Sequence, residues 1–249
     1  KKYKKIDELP FDPIDRRRRV VLNFKNKNYL VVIGAAETLL KISKSNTIAS
    51  YEKVIKTNGS NGLRHIAIAY SEVKFSNSNS FEIIKHEKNL KFVGFVSLEN
   101  PLRASSKRTI ELAEQLGVNI KIFSGDSPEV TGYVARQVGL LKANQSVLVG
   151  EDIDILSNYE LSEVVANNNA FARLNPKQKY RIIDQLKAQG NVVGYQGDGI
   201  NDAPALKLAD VAIAVNSAAD VAKESADILL LRQDLEVIVN GIKYGREIF

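Results

Sequence analysis

Residues 192–215 read VVGYQGDGINDAPALKLADVAIAV, and the reading of this stretch decides the fold. An apolar run, Val192–Tyr195, ends in a turn bounded by Gly197 and Gly199. Asp198, Asn201 and Asp202 lie in or just after that turn; a short helical stretch and a second apolar run up to Val215 follow. Glycine tolerates the unusual backbone angles such a turn needs. Strand, turn, short helix and strand is the pattern of a parallel α/β sheet, whose ligands bind outside the carboxyl ends of the strands. Two carboxylates crowded there repel unless a cation lies between them. Mg²⁺ takes hard oxygen ligands, which Asp198, Asn201 and Asp202 supply, the two carboxylates first among them as candidate metal ligands. The bland alternative is an Asx-rich turn that only caps the following helix.

The alternation continues on both sides of this stretch. NIKIFS (119–124) is a short β-rich run, and the segment 127–140 has helical spacing, with Val130, Val134 and Val138 four apart. FAR (171–173) is short and apolar, and 175–190 reads as a helix with Pro176 in its first turn and Gly190 as its stop. Downstream, AADVAKESA is helical, DILLL is a strand and LEVIVNGIKYGREIF is a closing helix. Residues 100–249 are therefore expected to form an α/β domain, a parallel sheet with helices on both faces.

Residues 1–99 follow a different pattern. RRVVLNF and NYLVVIGA flank the polar turn KNKN and predict a hairpin. A helix over ETLLKIS, then a helix, a Gly/Asn turn and a strand over 49–73, a loop over SNSNS (76–80) and a strand over 88–99 complete a smaller α+β module. Asn100-Pro101 is the expected boundary, because Pro interrupts a strand and the pattern changes after it.

Composition narrows the chemistry. The chain has 249 residues, 44% hydrophobic and 26% charged, as in ordinary globular proteins. It contains no Cys, which removes disulfides, thiol nucleophiles and thiolate metal sites, and only two His. Carboxylates remain as metal ligands. The net charge of +6 is partly in the clusters KKYKK (1–5) and RRRR (16–19). Neither a basic face nor interleaved aromatics point to nucleic acid, and a nucleotide suits the charge equally well. No apolar run approaches the ~20 residues that span a bilayer. A first residue of Lys, with no Met anywhere, suggests a soluble piece of a longer chain.

Two further turns matter. FSGDSP (123–128) ends a strand and opens a helix, so Ser124, the backbone near Gly125 and the helix N-terminus can hold a phosphate. Lys179 lies one turn into the helix after FARLNP, where an ammonium would neutralise phosphoryl charge. Each alone is weak: strand–turn–helix junctions are common, and a lone helix Lys is usually solvated. A hydroxyl, a Lys and a carboxylate pair on successive strand ends together read as the rear of a Mg²⁺-dependent phosphoryl-transfer site. Such a site needs a nucleophile, expected as an Asp that forms an aspartyl phosphate. No strand and Asp of that kind precede residue 119.

These segments resemble the cytoplasmic part of a P-type ATPase, within the haloacid dehalogenase superfamily. GDGINDAPALKLADVAIAV is similar to the family's hinge motif nearly residue for residue, FSGDSP to its T-G-D segment with Ser124 for Thr, and FARLNPKQK to its F-A-R-x-x-P-x-x-K segment. ENPLR resembles its D-P-x-R hinge, NGLR (61–64) its G-L-R, and FDPIDRR an adenine-side pattern of class III pumps. The resemblance implies a nucleotide-binding domain over 1–99 and a phosphorylation domain over 100–249, with ATP and Mg²⁺ as cofactors. It implies that Phe11 stacks on adenine, with Arg16 in the same segment, that Arg64 meets the nucleotide phosphates, and that Arg103 sits at the domain hinge. Ser124, Gly125 and Asp126 would meet the phosphoryl group, Lys179 its charge, and Asp198, Asn201 and Asp202 the metal and phosphate.

The parent chain would span the cell membrane, present this part at its cytoplasmic face, and move a cation, most nearly as in the magnesium-transporting branch. No obligate protein partner is implied. The sequence departs from the pattern at three places: the D-K-T-G-T segment is missing, Ile33 stands where the family's K-G-A has Lys, and Asn100 replaces the hinge Asp. Two other readings use the same motifs. One is a soluble haloacid-dehalogenase phosphatase with a large cap; the other is a non-catalytic nucleotide sensor.

Overall fold

The computed structural model describes residues 3–12, 15–44, 48–74, 80–142, 144–232 and 234–248. It divides into two compact units, Lys1–Asn100 and Pro101–Phe249.

The first unit is a six-stranded sheet in the order β1-β2-β3-β5-β6-β4, with β1 Lys4–Asp12, β2 Arg17–Phe24, β3 Lys27–Ala35, β4 Ser43–Lys44, β5 Arg64–Val73 and β6 Leu90–Leu98. All neighbours are antiparallel except β4 and β6. The expected hairpin is β2–β3. Its two-residue loop, Lys25 and Asn26, holds both residues in the left-handed region at φ 50° and 60°, the turn whose twist matches the flanking strands. Helices α1 (Ala36–Ile42), α2 (Ile48–Gly59) and α3 (Ser80–Lys85) complete the unit. The core lies on one face of the sheet, where Leu39 of α1 and Ile83 of α3 pack on Val21, Leu30, Val32 and Ala67.

Two strand and helix assignments differ from the sequence reading. Residues 4–12 form an edge strand, hidden in the sequence by charges that face water. The proposed loop over 76–80 falls mostly outside the described residues, and its last residue, Ser80, opens α3. The RRRR cluster is also not a uniformly solvated surface. Arg19 is buried, donating through Nε and Nη2 to Glu87 Oε2 at 3.0 and 2.9 Å, while Arg17 Nε lies 2.7 Å from Glu87 Oε1.

The second unit holds α4 Ser106–Gln115, β7 Ile122–Phe123, α5 Pro128–Gln137, β8 Leu148–Val149, α6 Gly150–Ile155, α7 Asn158–Asn167, β9 Ala170–Ala172 and α8 Pro176–Ala188. It continues with β10 Gly194–Gly197, a 3₁₀ turn Ile200–Asp202, α9 Ala203–Leu208, β11 Val211–Val215, α10 Asp220–Glu224, β12 Ile228–Leu230 and α11 Leu235–Ile248. Every strand pairing is parallel, as the alternation predicts. The expected single sheet is instead two sheets of three, β7-β9-β8 and β10-β11-β12. Among the described residues, their edge strands β7 and β10 do not pair with each other. The Phe123 and Tyr195 rings lie 6.0 Å apart between centroids. Phe123 packs against both the Tyr195–Ile213 core and the Ile153–Phe171 core.

Helix α8 starts as its sequence requires. Asn175 Oδ1 accepts from Gln178 N at 2.9 Å, Gln178 Oε1 accepts from Asn175 N at 2.8 Å, and Pro176 needs no donor at the first position. Gln178 also donates to Gly150 O and Asp154 Oδ2, tying α8 to α6. Lys179 is thereby placed in the first turn of a capped helix.

Candidate active site

The site is built at the carboxyl ends of β7, β9 and β10. The strand β7 hands over to the turn Ser124-Gly125-Asp126, which is stitched to the turn after β9. Ser124 N donates to Phe171 O at 2.9 Å, Leu174 N to Ser124 O at 3.0 Å, and Arg173 N to Asp126 O at 2.9 Å. Arg173 adopts φ 53° to make that approach. Ser124 Oγ accepts from Asp126 N at 3.0 Å, which orients the hydroxyl within its own turn. Gly125 is exposed, and a Cβ there would meet nothing within 4 Å, so the space on that side is open.

Lys179, in the first turn of α8 after β9, reaches the third turn. Its Nζ donates to Asp202 Oδ1 at 2.7 Å, the two side chains being only 12% and 10% exposed. Tyr195 OH donates to the same oxygen at 2.8 Å, and the backbone amides of Asp198 and Gly199 each donate to Oδ2 at 3.2 Å. Burial opposes ionisation of Asp202. The Lys179 ammonium, the Tyr195 hydroxyl and the Gly199 amide outweigh it and hold the carboxyl below its usual range. Burial, then the negative charge of Asp202, pushes the Tyr195 hydroxyl up, so it stays a donor. Gly197 is required by close approach: a Cβ there would lie 2.5 Å from the Asp202 Cβ.

Asp202, expected from the sequence beside Asp198 as a metal ligand, is here the partner of the Lys179 ammonium. The cation that relieves the crowded carboxylates is the Lys179 ammonium, and both Asp202 oxygens already accept two hydrogen bonds each. Asp198 and Asn201 are different. Both side chains are exposed at the mouth of the turn. Among the described residues no group of three or more His, Cys, Asp or Glu is placed to hold a metal. Tyr195 is the site residue the sequence reading missed. Its signal was a phenol at the end of the apolar run 192–195, just before the Gly197 turn.

The first unit gathers the other candidates at one sheet end. Phe11 is 58% exposed near the end of β1, and Arg16 follows in a turn with φ 55°. Arg16 O accepts from Ala35 N at 3.1 Å, and Arg17 pairs with Gly34. A Cβ on Gly34 would fall 2.7 Å from that of Arg17, so FDPIDRR and IGA are in contact. Arg64 opens β5 at the same end, exposed. Ile33 lies on the opposite face from the core, between Arg18 of β2 and Ile68 of β5. Arg103 belongs to the second unit; it is exposed, and its carbonyl accepts from Ser106 N just before α4.

Known proteins share this chain at moderate identity. It is 36% identical over 262 residues to the magnesium-transporting ATPase, P-type 1, of Salmonella typhimurium, covering 100% of this chain and 28% of that protein. It is 35% identical over 263 residues to the protein of the same description in Escherichia coli, covering 100% and 29%. A calcium-transporting ATPase of Bacillus subtilis is 31% identical over 261 residues, covering 99% and 29%. The chain thus spans under a third of the length of the curated relatives it matches. A family model described as haloacid dehalogenase-like hydrolase matches residues 24–210, and the chain belongs to that family.

Proposed function

We propose that this chain is the rear part of the catalytic unit of an ATP-driven cation pump that works through an aspartyl phosphate. The first unit is its nucleotide-binding domain and the second its phosphorylation domain. The observation that carries the reading is the coupled site between two unpaired sheet edges. The Ser124 turn, Lys179 and the Asp198 turn follow the carboxyl ends of β7, β9 and β10, and among the described residues β7 and β10 are each paired on one side only. A strand from an upstream segment seated there would pair with both and carry its carboxylate to the same sheet edge. Similarity over the whole chain, first unit included, favours the pump over a soluble phosphatase with a cap.

Each residue then has a part. The exposed Gly125 backbone and the start of α5 receive the transferring phosphoryl group. Lys179 faces its developing charge from α8, with Asp202, itself bonded by Tyr195, holding the ammonium in place. Asp198 offers the one exposed carboxylate of its turn to Mg²⁺, which keeps several waters and shares one or two carboxylates with a phosphate. Bound there, the ion would neutralise phosphoryl oxygens. Phe11, Arg16 and Arg64 present an aromatic face and two cations to the nucleotide. The cation moved is most nearly magnesium, by the relatives, and the full chain would lie in the cell membrane with these units on the cytoplasmic face.

Acid quenching of the full-length protein after brief exposure to labelled Mg-ATP tests the reading. Acid-stable label released by hydroxylamine is expected, formed at least tenfold more slowly in Lys179→Ala. A folded membrane preparation that traps no label would return the chain to the phosphatase or the sensor.

A further inference from the structure

Tyr195 on β10 is 8% exposed, and its ring lies 6.0 Å from that of Phe123, the last residue of β7. Phe123 meets Phe171 of β9 edge-on at 5.4 Å. The phenol is thus seated against aromatic rings from the other sheet, and its hydroxyl donates to Asp202 Oδ1 at 2.8 Å. An ionised carboxylate offers about four acceptor sites, and a Lys ammonium carries three N–H donors. At Asp202 all four sites are filled. The amides of Asp198 and Gly199 share Oδ2, and Tyr195 and Lys179 share Oδ1. The ammonium is not filled. Among the described residues its one hydrogen-bond partner is Asp202 Oδ1, at 2.7 Å.

This balance turns on the phenol. A carboxylate oxygen with its second site open can take a second N–H of the same ammonium, and charge-assisted bonds of this kind are strong. We propose that Tyr195 is a positioning residue for phosphoryl transfer: its hydroxyl fills the second site of Asp202 Oδ1, so that Asp202 anchors Lys179 through one N–H and leaves the other two for a phosphoryl group. This rests on the phosphoryl-transfer reading of the second unit. A Phe at 195 would keep the ring beside Phe123 but open that site on Oδ1. The ammonium would then sink towards Asp202 and present less of its charge to phosphoryl oxygens.

The test compares Tyr195→Phe with the wild type in the full-length protein, each also combined with Lys179→Ala. Two quantities are read: the rate of phosphoenzyme formation at saturating Mg-ATP, and the affinity for inorganic phosphate with Mg²⁺ by calorimetry. In Tyr195→Phe the rate and the phosphate affinity should each fall about tenfold, while half-saturating Mg-ATP stays within about twofold. In the Lys179→Ala background the same change should alter neither by more than about twofold, because the hydroxyl acts through the ammonium. A 3-fluorotyrosine at 195 keeps ring and donor and should restore wild-type values. An unchanged rate and affinity in Tyr195→Phe overturns the proposal, as does an equal loss without Lys179. A fluorotyrosine protein as slow as Tyr195→Phe would make the fit of the ring the cause and overturn it. Loss of the fold in Tyr195→Phe, read by thermal melting, would make the hydroxyl a support of the fold and overturn it too. A wild type that binds phosphate but traps no label fails the pump reading alone, and the phosphate affinities then decide the role of Tyr195.

Discussion

Asp202 shows how much one buried side chain can decide. Its two oxygens accept four hydrogen bonds, from Lys179, Tyr195 and two backbone amides. Removing one member of a buried pair strands the other charge, so Asp202→Ala should destabilise the second unit by about 3 kcal/mol in chemical denaturation. The carboxyl is held below its ordinary value of 3.8 in the folded chain. Its stabilisation is therefore complete above that value and is lost as pH falls through the lower folded one. Acid titration of unfolding should show this loss below about pH 4 in the wild type and not in Asp202→Asn. Asp198→Asn, at an exposed carboxylate, should leave stability within about 0.5 kcal/mol while weakening Mg²⁺ binding measured by calorimetry. Unchanged Mg²⁺ affinity would remove Asp198 from the metal role.

Elements were legible where one local rule governs them. The β2–β3 hairpin follows from apolar runs around a polar turn, and α8 from Asn175, Pro176 and Gln178 acting within one turn. The helices α6 and α7 and the two-residue strand β8 escaped the sequence reading, although Ser157 and Glu160 form a capping box that marks the start of α7. Strand β1 escaped because Lys4, Lys5 and Glu8 on an edge mask its period. The ion pair of Asp202 with Lys179, 23 residues away, and its bond from Tyr195 were not legible. The same holds for Glu87, 68 residues from Arg19. Glu87→Ala leaves Arg17 and Arg19 without their shared carboxylate and should cost the first unit about 3 kcal/mol, read by thermal unfolding. A loss under about 1 kcal/mol would mean that the arginines find water or Asp15 instead.

At the scale of the whole molecule, the parallel sheet is in two halves. If an upstream strand joins them, amides of β7 and β10 that point away from β9 and β11 should exchange with solvent at core rates in the full-length protein. Exchange at free-edge rates would leave the halves unjoined. The joining strand would have the longest wait of any element during synthesis. It would leave the ribosome before β7, which ends at Phe123, while its second neighbour, β10, ends at Gly197. At 5–20 residues per second, it would stay half-paired for roughly 4–15 s. A nascent apolar strand waiting that long is a natural client for a chaperone, and a slow stretch of translation before β10 would lengthen the exposure.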